Sequence, residues 1–260
     1  MQERLARRCF KHHEGSKLTL DSGLFSKHIE WMAKGTDLFA EGASLLDLQD
    51  HDRPSLLQSW TVAHLIAHVN SNARALVNLA VWARTGVVTP MYQSNEQRAK
   101  DIEEAARQSL AFLVEDFQIS SEEFLASITS LSGEQLDHVV KSGRGRDIPV
   151  SDAVWIRIRE VWIHAVDLGS GITFSRFPDL LLDALMTDVV SSFSGRENIP
   201  VLELKAADIA RTWKIGAAET ATKVEGSQHA ILAWLLGRSG GEDLTFGTSD
   251  GAPPVLPAWL

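Results

Sequence analysis

The chain has 260 residues, 44% hydrophobic and 23% charged, a balance ordinary for globular protein and sufficient for one large core or two modest ones. Its formal charge of −9 excludes a general nucleic-acid binder, which needs a basic face against phosphates, and no stretch approaches the roughly 20 apolar residues of a membrane-spanning helix. The single cysteine, Cys9, excludes an internal disulfide and a multi-cysteine zinc site, so any metal must be held by histidines and carboxylates. The expectation is a soluble, cytoplasmic monomer with a small-molecule partner, no nucleic acid and no membrane.

Residues 1–20 are basic, with Arg4, Arg7, Arg8, Lys11 and Lys17 against Glu3 and Glu14, and lack the apolar core of a signal peptide. They are expected to form a flexible extension outside the fold. From residue 21 to about 170 the pattern is helical. One helix is predicted from about Leu24 to Leu48, closed by the turn-rich Gln49 to Ser55 segment. A second is capped by Thr61 and runs to about Arg84, stopped by Gly86 and Pro90. A third begins at the Ser94/Gln97 capping box and extends to about Glu115, and another covers Ser121 to about Leu131. Lys141 to Pro149, with two glycines and three basic residues, reads as a loop, after which Ser151 caps a helix ending near Leu168.

Beyond Gly169-Ser170-Gly171 the texture changes, which places a domain boundary at about residue 170. Phe177 to Phe193 is predicted helical, and Val201 to Lys205 alternates like a half-buried strand. Arg211 to Ala217 and Ala221 to Glu225 are further strand candidates, and Ser227 to Leu236 is a helix ending at Gly237. The predicted class is α+β: a helical bundle over 21–170 followed by a small α+β domain over 171–260.

On the helix from Ser151 to Leu168, a 100° step per residue sets Arg157, Glu160, His164 and Asp167 in a narrow polar strip. Val154, Trp155, Ile158, Val161, Trp162 and Ala165 make a broad apolar face, and Ile156 and Ile163 flank the strip on its other side. A solvated face is not normally edged by apolar residues on both sides, so the strip is read as facing the interior. Glu160 and His164, one turn apart, suit chelation, although an isolated i, i+4 pair of this kind is more often a surface decoration. In the second helix His64 and His68 share a face beside Val62, Ile66, Val69 and Ala73, and either alone is more often a satisfied core-edge histidine. Helical bundles do build metal sites from inward-facing His and carboxylates on facing helices.

The segment Ser59-Trp60-Thr61-Val62-Ala63-His64-Leu65-Ile66-Ala67-His68-Val69, then Met91-Tyr92-Gln93-Ser94 with Arg98, then Arg159-Glu160-Val161-Trp162-Ile163-His164-Ala165-Val166-Asp167-Leu168, resembles the mycothiol-dependent maleylpyruvate isomerase family. The amino-terminal half of that family is a DinB-like metal-binding bundle. Leu232-Ala233-Trp234-Leu235-Leu236-Gly237-Arg238 is similar to its second, sterol-carrier-like domain, so the resemblance covers nearly everything after about residue 20. It implies that His68, Glu160 and His164 are zinc ligands with His64 as a neighbour, that Arg238 is an active-site arginine, and that mycothiol is the thiol cofactor. Tyr92 and Arg98 are second-tier cofactor-binding candidates, and Asp167 is a candidate to orient a ligating imidazole.

Two His and one carboxylate leave a tetrahedral zinc one position short, the mark of a catalytic rather than structural site. An ion with one carboxylate carries a formal +1 charge, which a thiolate would neutralise. The resemblance implies conversion of cis maleylpyruvate to trans fumarylpyruvate in gentisate degradation: a thiolate adds to the alkene, the charge moves to an enolate, the new single bond rotates, and expulsion of the thiolate restores the alkene. Two alternatives stay open at this point: S-transfer of mycothiol onto an electrophile, and a non-catalytic protein binding an apolar ligand. The ligand set also accommodates Fe²⁺, Co²⁺, Ni²⁺ or Mn²⁺.

Overall fold

Residues 22–217 and 220–259 are described by the computed structural model of the chain, and the basic segment 1–20 lies outside them. The backbone divides into two compact units, one ending at Ile172 and the other beginning at Thr173.

The first unit is built from α1 (Ser22–Ser44), α2 (Val62–Thr85), α3 (Asn95–Ala105), α4 (Leu110–Thr129), the single turn α5 (Gly133–Leu136) and α6 (Asp152–Asp167). Its layers are pairs of long helices: α1 against α6, and α2 against both α4 and α6. Helix α2 starts where Thr61 turns its hydroxyl onto the His64 amide, and it stops at Gly86, which takes the left-handed conformation (φ 73°) that side chains with a Cβ avoid. Between those ends Val62, Leu65, Ile66, Val69, Ala73, Leu76 and Leu79 are fully buried. Each leucine- or isoleucine-sized side chain there contributes about 1.5–3 kcal/mol. Against this apolar seam the polar strip of α6 also turns inward: Arg157 is 1% and Asp167 0% exposed.

Arg157 is affordable in the core because its guanidinium donates to Val69 O (2.6 Å), Asn72 Oδ1 (3.3 Å) and Ser121 Oγ (3.0 Å), so α2, α4 and α6 meet on one side chain. Burial pulls its pKa down to about 10, still charged at neutral pH.

Four local expectations are corrected. The region predicted as one helix from Ser94 to Glu115 and another from Ser121 to Leu131 breaks elsewhere: α3 ends at Ala105, and Ser109 caps a continuous α4. Ser121 does not start a helix, because it is buried inside α4 and its oxygen accepts from Arg157. The predicted loop Lys141 to Pro149 contains a short antiparallel hairpin, β1 (Val139–Lys141) with β2 (Asp147–Pro149), pairing Val140 with Ile148. Ser151 precedes α6 without capping it: its backbone is already helical and its buried hydroxyl accepts nothing. At Ser94 only half of the expected capping box forms, since the Gln97 side chain donates to Asp101 (2.7 Å) instead of reaching back.

The second unit holds α7 (Asp179–Ser194), α8 (Gln228–Leu235) and a four-stranded sheet of β3 (Leu202–Ala206), β4 (Arg211–Ile215), β5 (Thr222–Gly226) and β6 (Thr245–Phe246) in the order β4-β3-β5-β6. The β3–β4 and β5–β6 pairs are antiparallel and β3–β5 is parallel, with Leu204 opposite both Trp213 and Val224. Leu202, Leu204, Ala206, Trp213, Ile215 and Val224 alternate inward, which is the period of two read in β3, and α7 and α8 pack on the unit's sheet. The fourth strand, β6, was outside the expectation. Its two residues are too short for a periodic signal. The fold is thus α+β, a mostly helical N-terminal part with a small C-terminal sheet region.

Candidate metal centre

His68 projects from α2, and Glu160 and His164 from successive turns of α6. Their ligand atoms all lie within 4.8 Å of one another, the one group of three or more His, Cys, Asp or Glu among the described residues that meets this condition. Glu160 Oε2 sits 3.0 Å from His68 Nε2 and 3.1 Å from His164 Nε2. Neither contact has the alignment of a hydrogen bond, so this buried oxygen lacks a proper donor. Two imidazole nitrogens and a carboxylate oxygen this close together could hold a metal ion between them, and as a donor set they fit a divalent one.

The outer nitrogens are held separately. His164 Nδ1 lies 2.8 Å from Asp167 Oδ2, one turn along α6. A carboxylate there accepts a hydrogen bond from Nδ1–H, which leaves the Nε2 lone pair free. His68 Nδ1 lies 2.9 Å from Arg98 Nη2 on α3. Trp60 packs edge-on against the His68 ring (centroids 5.1 Å), and the His68 and His164 rings meet edge-on at 5.2 Å.

Electrostatics follow from this burial. The His68 pKa is lowered, desolvation outweighing the nearby Glu160. Burial also works against charge on His164, but hydrogen bonding to Asp167 and the closeness of Glu160 lift its pKa to about 9. Burial pushes the Glu160 carboxyl up, yet the two histidines hold it well below the usual range. Tyr92 is raised by burial, with Arg98 opposing.

The fold therefore brings together His68, Glu160 and His164, with Asp167 and Arg98 behind them. Tyr92 joins through Arg98, whose guanidinium carbon lies 5.3 Å from the Tyr92 ring centroid. His64 is kept out of the cluster: Thr61 Oγ1 holds its Nδ1 at 2.7 Å and Glu103 faces its Nε2 at 3.3 Å. Arg238 lies just past α8 in the second unit, half-buried, with Nη1 donating to Leu236 O. Trp60 was missed as a neighbour of the site. Its place immediately before the Thr61 cap was a usable signal, because that position packs back onto the first turns of the helix.

Residues 32–169 match the mycothiol maleylpyruvate isomerase N-terminal domain family. The chain belongs to the mycothiol-dependent maleylpyruvate isomerase family. A crystal structure of the mycothiol-dependent maleylpyruvate isomerase has a TM-score of 0.85 and 32% identity, covering 90% of this chain and 97% of that one. A histidine-to-alanine mutant of that isomerase gives a TM-score of 0.85 at 31% identity over the same shares. A comparison with curated proteins finds no match. The family's N-terminal domain, as matched, contains His68, Tyr92, Arg98, Glu160, His164 and Asp167, whereas Arg238 falls beyond it.

Proposed function

We propose that the chain is a zinc-dependent cis–trans isomerase that uses mycothiol to convert maleylpyruvate to fumarylpyruvate. The observation that carries this reading is the incomplete donor set: His68, Glu160 and His164 would hold a zinc ion by three bonds and leave a position for an exogenous ligand. Zinc at this site supplies the positive charge that favours a thiolate, and the thiol supplies a reversible nucleophile whose addition makes the alkene bond free to rotate.

The protein's own groups do the positioning. Asp167 holds the Nδ1 proton of His164, which fixes the tautomer and the plane of the ring. Trp60 packs edge-on against the His68 ring and restricts its rotation, and Arg98 places a charged donor, Nη2, 2.9 Å from His68 Nδ1. The Tyr92 hydroxyl, kept protonated by burial, is a hydrogen-bond donor at neutral pH. Arg238 is proposed for the substrate carboxylates, because a guanidinium forks onto a carboxylate with two parallel hydrogen bonds and can neutralise a developing enolate charge.

The test follows substrate absorbance on mixing zinc-loaded protein, mycothiol and maleylpyruvate. The expected result is turnover with the thiol not consumed. A stable thiol adduct accumulating without fumarylpyruvate would replace isomerisation by S-transfer. Arg238→Ala is expected to cut kcat by about 100-fold or more, with zinc content unchanged; loss of the zinc would make the arginine structural.

A further inference from the structure

Within the first unit, a groove of about 460 Å³ runs between α2, the 90–93 segment and α3. That volume is in the usual range of small-molecule pockets, roughly 300–1,000 Å³. It adjoins the metal centre directly: Ala67, next to His68, lies in its wall, and so do Arg98, which touches His68, and Tyr92.

The charges of this groove cancel. Arg74 is engaged by Asp116, Nη1 to Oδ2 at 2.9 Å with Nη2 on the other oxygen, and Asn70 adds a third donor to the same carboxylate at 3.0 Å. Against Arg74 and Arg98 stand Asp101 and Asp116, so a dianionic substrate finds no surplus positive charge here. What the groove offers instead is neutral and polar: the Ser71 hydroxyl, the Tyr92 phenol, and the amides of Asn78, Gln93 and Gln97. Amides and hydroxyls donate and accept at once, and so do the hydroxyls of a polyol. The Ser71 hydroxyl and the Gln93 amide make no hydrogen bond among the described residues, and Asn78 makes only long ones, 3.4 Å to the carbonyls of Pro90 and Met91.

We infer that this groove anchors the uncharged polyol portion of the thiol ligand, and that the dicarboxylate substrate binds elsewhere in the site. The inference rests on the reading that the site takes mycothiol, whose cysteinyl thiol is carried on a glucosaminyl inositol. Anchoring by the polyol leaves the thiol end beside Arg98 and His68.

The test uses the full chain and the double variant Gln93→Ala/Gln97→Ala. Both residues are exposed, so the fold is retained, which an unchanged Tm checks. Calorimetric titration with N-acetylglucosaminyl-inositol, a probe without a thiol, is expected to show binding to the wild type that weakens about tenfold in the variant, the equivalent of two neutral hydrogen bonds. In turnover the KM for mycothiol should rise by the same factor, while that for maleylpyruvate moves less than twofold. Equal probe binding by the two proteins overturns the inference, and so does a rise in the KM for maleylpyruvate instead. The titration needs neither metal nor thiol. A wild type that binds the probe yet turns nothing over therefore sinks the functional reading alone, and one that turns over with a mycothiol KM indifferent to the groove sinks the groove alone.

Discussion

At the scale of single residues, the site depends on which atoms around each imidazole are already spoken for. His64 and His68 lie on the same face of α2, but the hydroxyl and carboxylate around His64 occupy both of its nitrogens, while His68 Nε2 lies 3.0 Å from Glu160 Oε2. Asp167, fully buried one turn from His164, has its acceptor at 2.8 Å from Nδ1. Asp167→Asn is expected to weaken zinc affinity about 10–100-fold, as loss of a carboxylate behind a ligating histidine does. Competition with a chelator measures this. Unchanged affinity with unchanged circular dichroism would reduce Asp167 to a core carboxylate.

At the scale of elements, the seam between α1 and α6 sets where the site helix lies. Gly35 lets the two backbones approach: a Cβ there would fall 2.4 Å from Trp162 Nε1 and 2.6 Å from Val161 Cγ2. Trp162 is not free to yield, since its indole donates to Trp31 O at 2.7 Å. Gly35→Ala gains about 1 kcal/mol of helix propensity yet is expected to destabilise by about 1–3 kcal/mol net, read as a lower urea midpoint with the same slope.

Further along the seam His28 stacks against Trp31 (5.8 Å) and Trp155 (5.5 Å) with Nε2 buried and unpartnered. Desolvation lowers its pKa from 6.5 to about 4. The unfolded chain therefore takes up this proton first, so the stability tied to neutral His28 is complete above pH 6.5 and drains away as pH falls toward 4. Between pH 7 and 5 the loss from this group is about 2 kcal/mol. The difference in urea stability between wild type and His28→Leu isolates it: the variant's stability should fall less steeply over that window, and parallel curves would show that the ring gains solvent or a partner.

At the scale of the whole molecule, no helix among the described residues is long and apolar enough to cross a membrane, and the three candidate ligands all belong to the unit that ends at Ile172. A metal that binds only the folded state stabilises it by mass action, about 2.7 kcal/mol at 100-fold over Kd. Zinc is thus expected to raise the melting temperature of the helical unit by about 5–10 °C, reversed by EDTA. Scanning calorimetry with and without the chelator measures it. No shift, with no zinc retained on purification, would favour a protein that binds its ligand without a metal.

What local sequence determined is what local physics governs. The 3.6-residue period placed Arg157, Glu160, His164 and Asp167 in one strip and predicted that it faces inward, as it does. Thr61 announced its helix because a capping hydroxyl acts within three residues, and β3 announced itself by alternation. The break at Ala105 to Ser109 was hidden because Ser121 offered a competing start, and only the arrival of Arg157 from α6 explains why it lies inside α4. Tertiary structure alone decided the rest. Periodicity left two histidines on α2, and the packing of α2 against α6 brought one of them to Glu160. The groove likewise exists only where α3 folds back beside α2. Distances between residues far apart in the chain are set by how helices dock, and no local pattern encodes them.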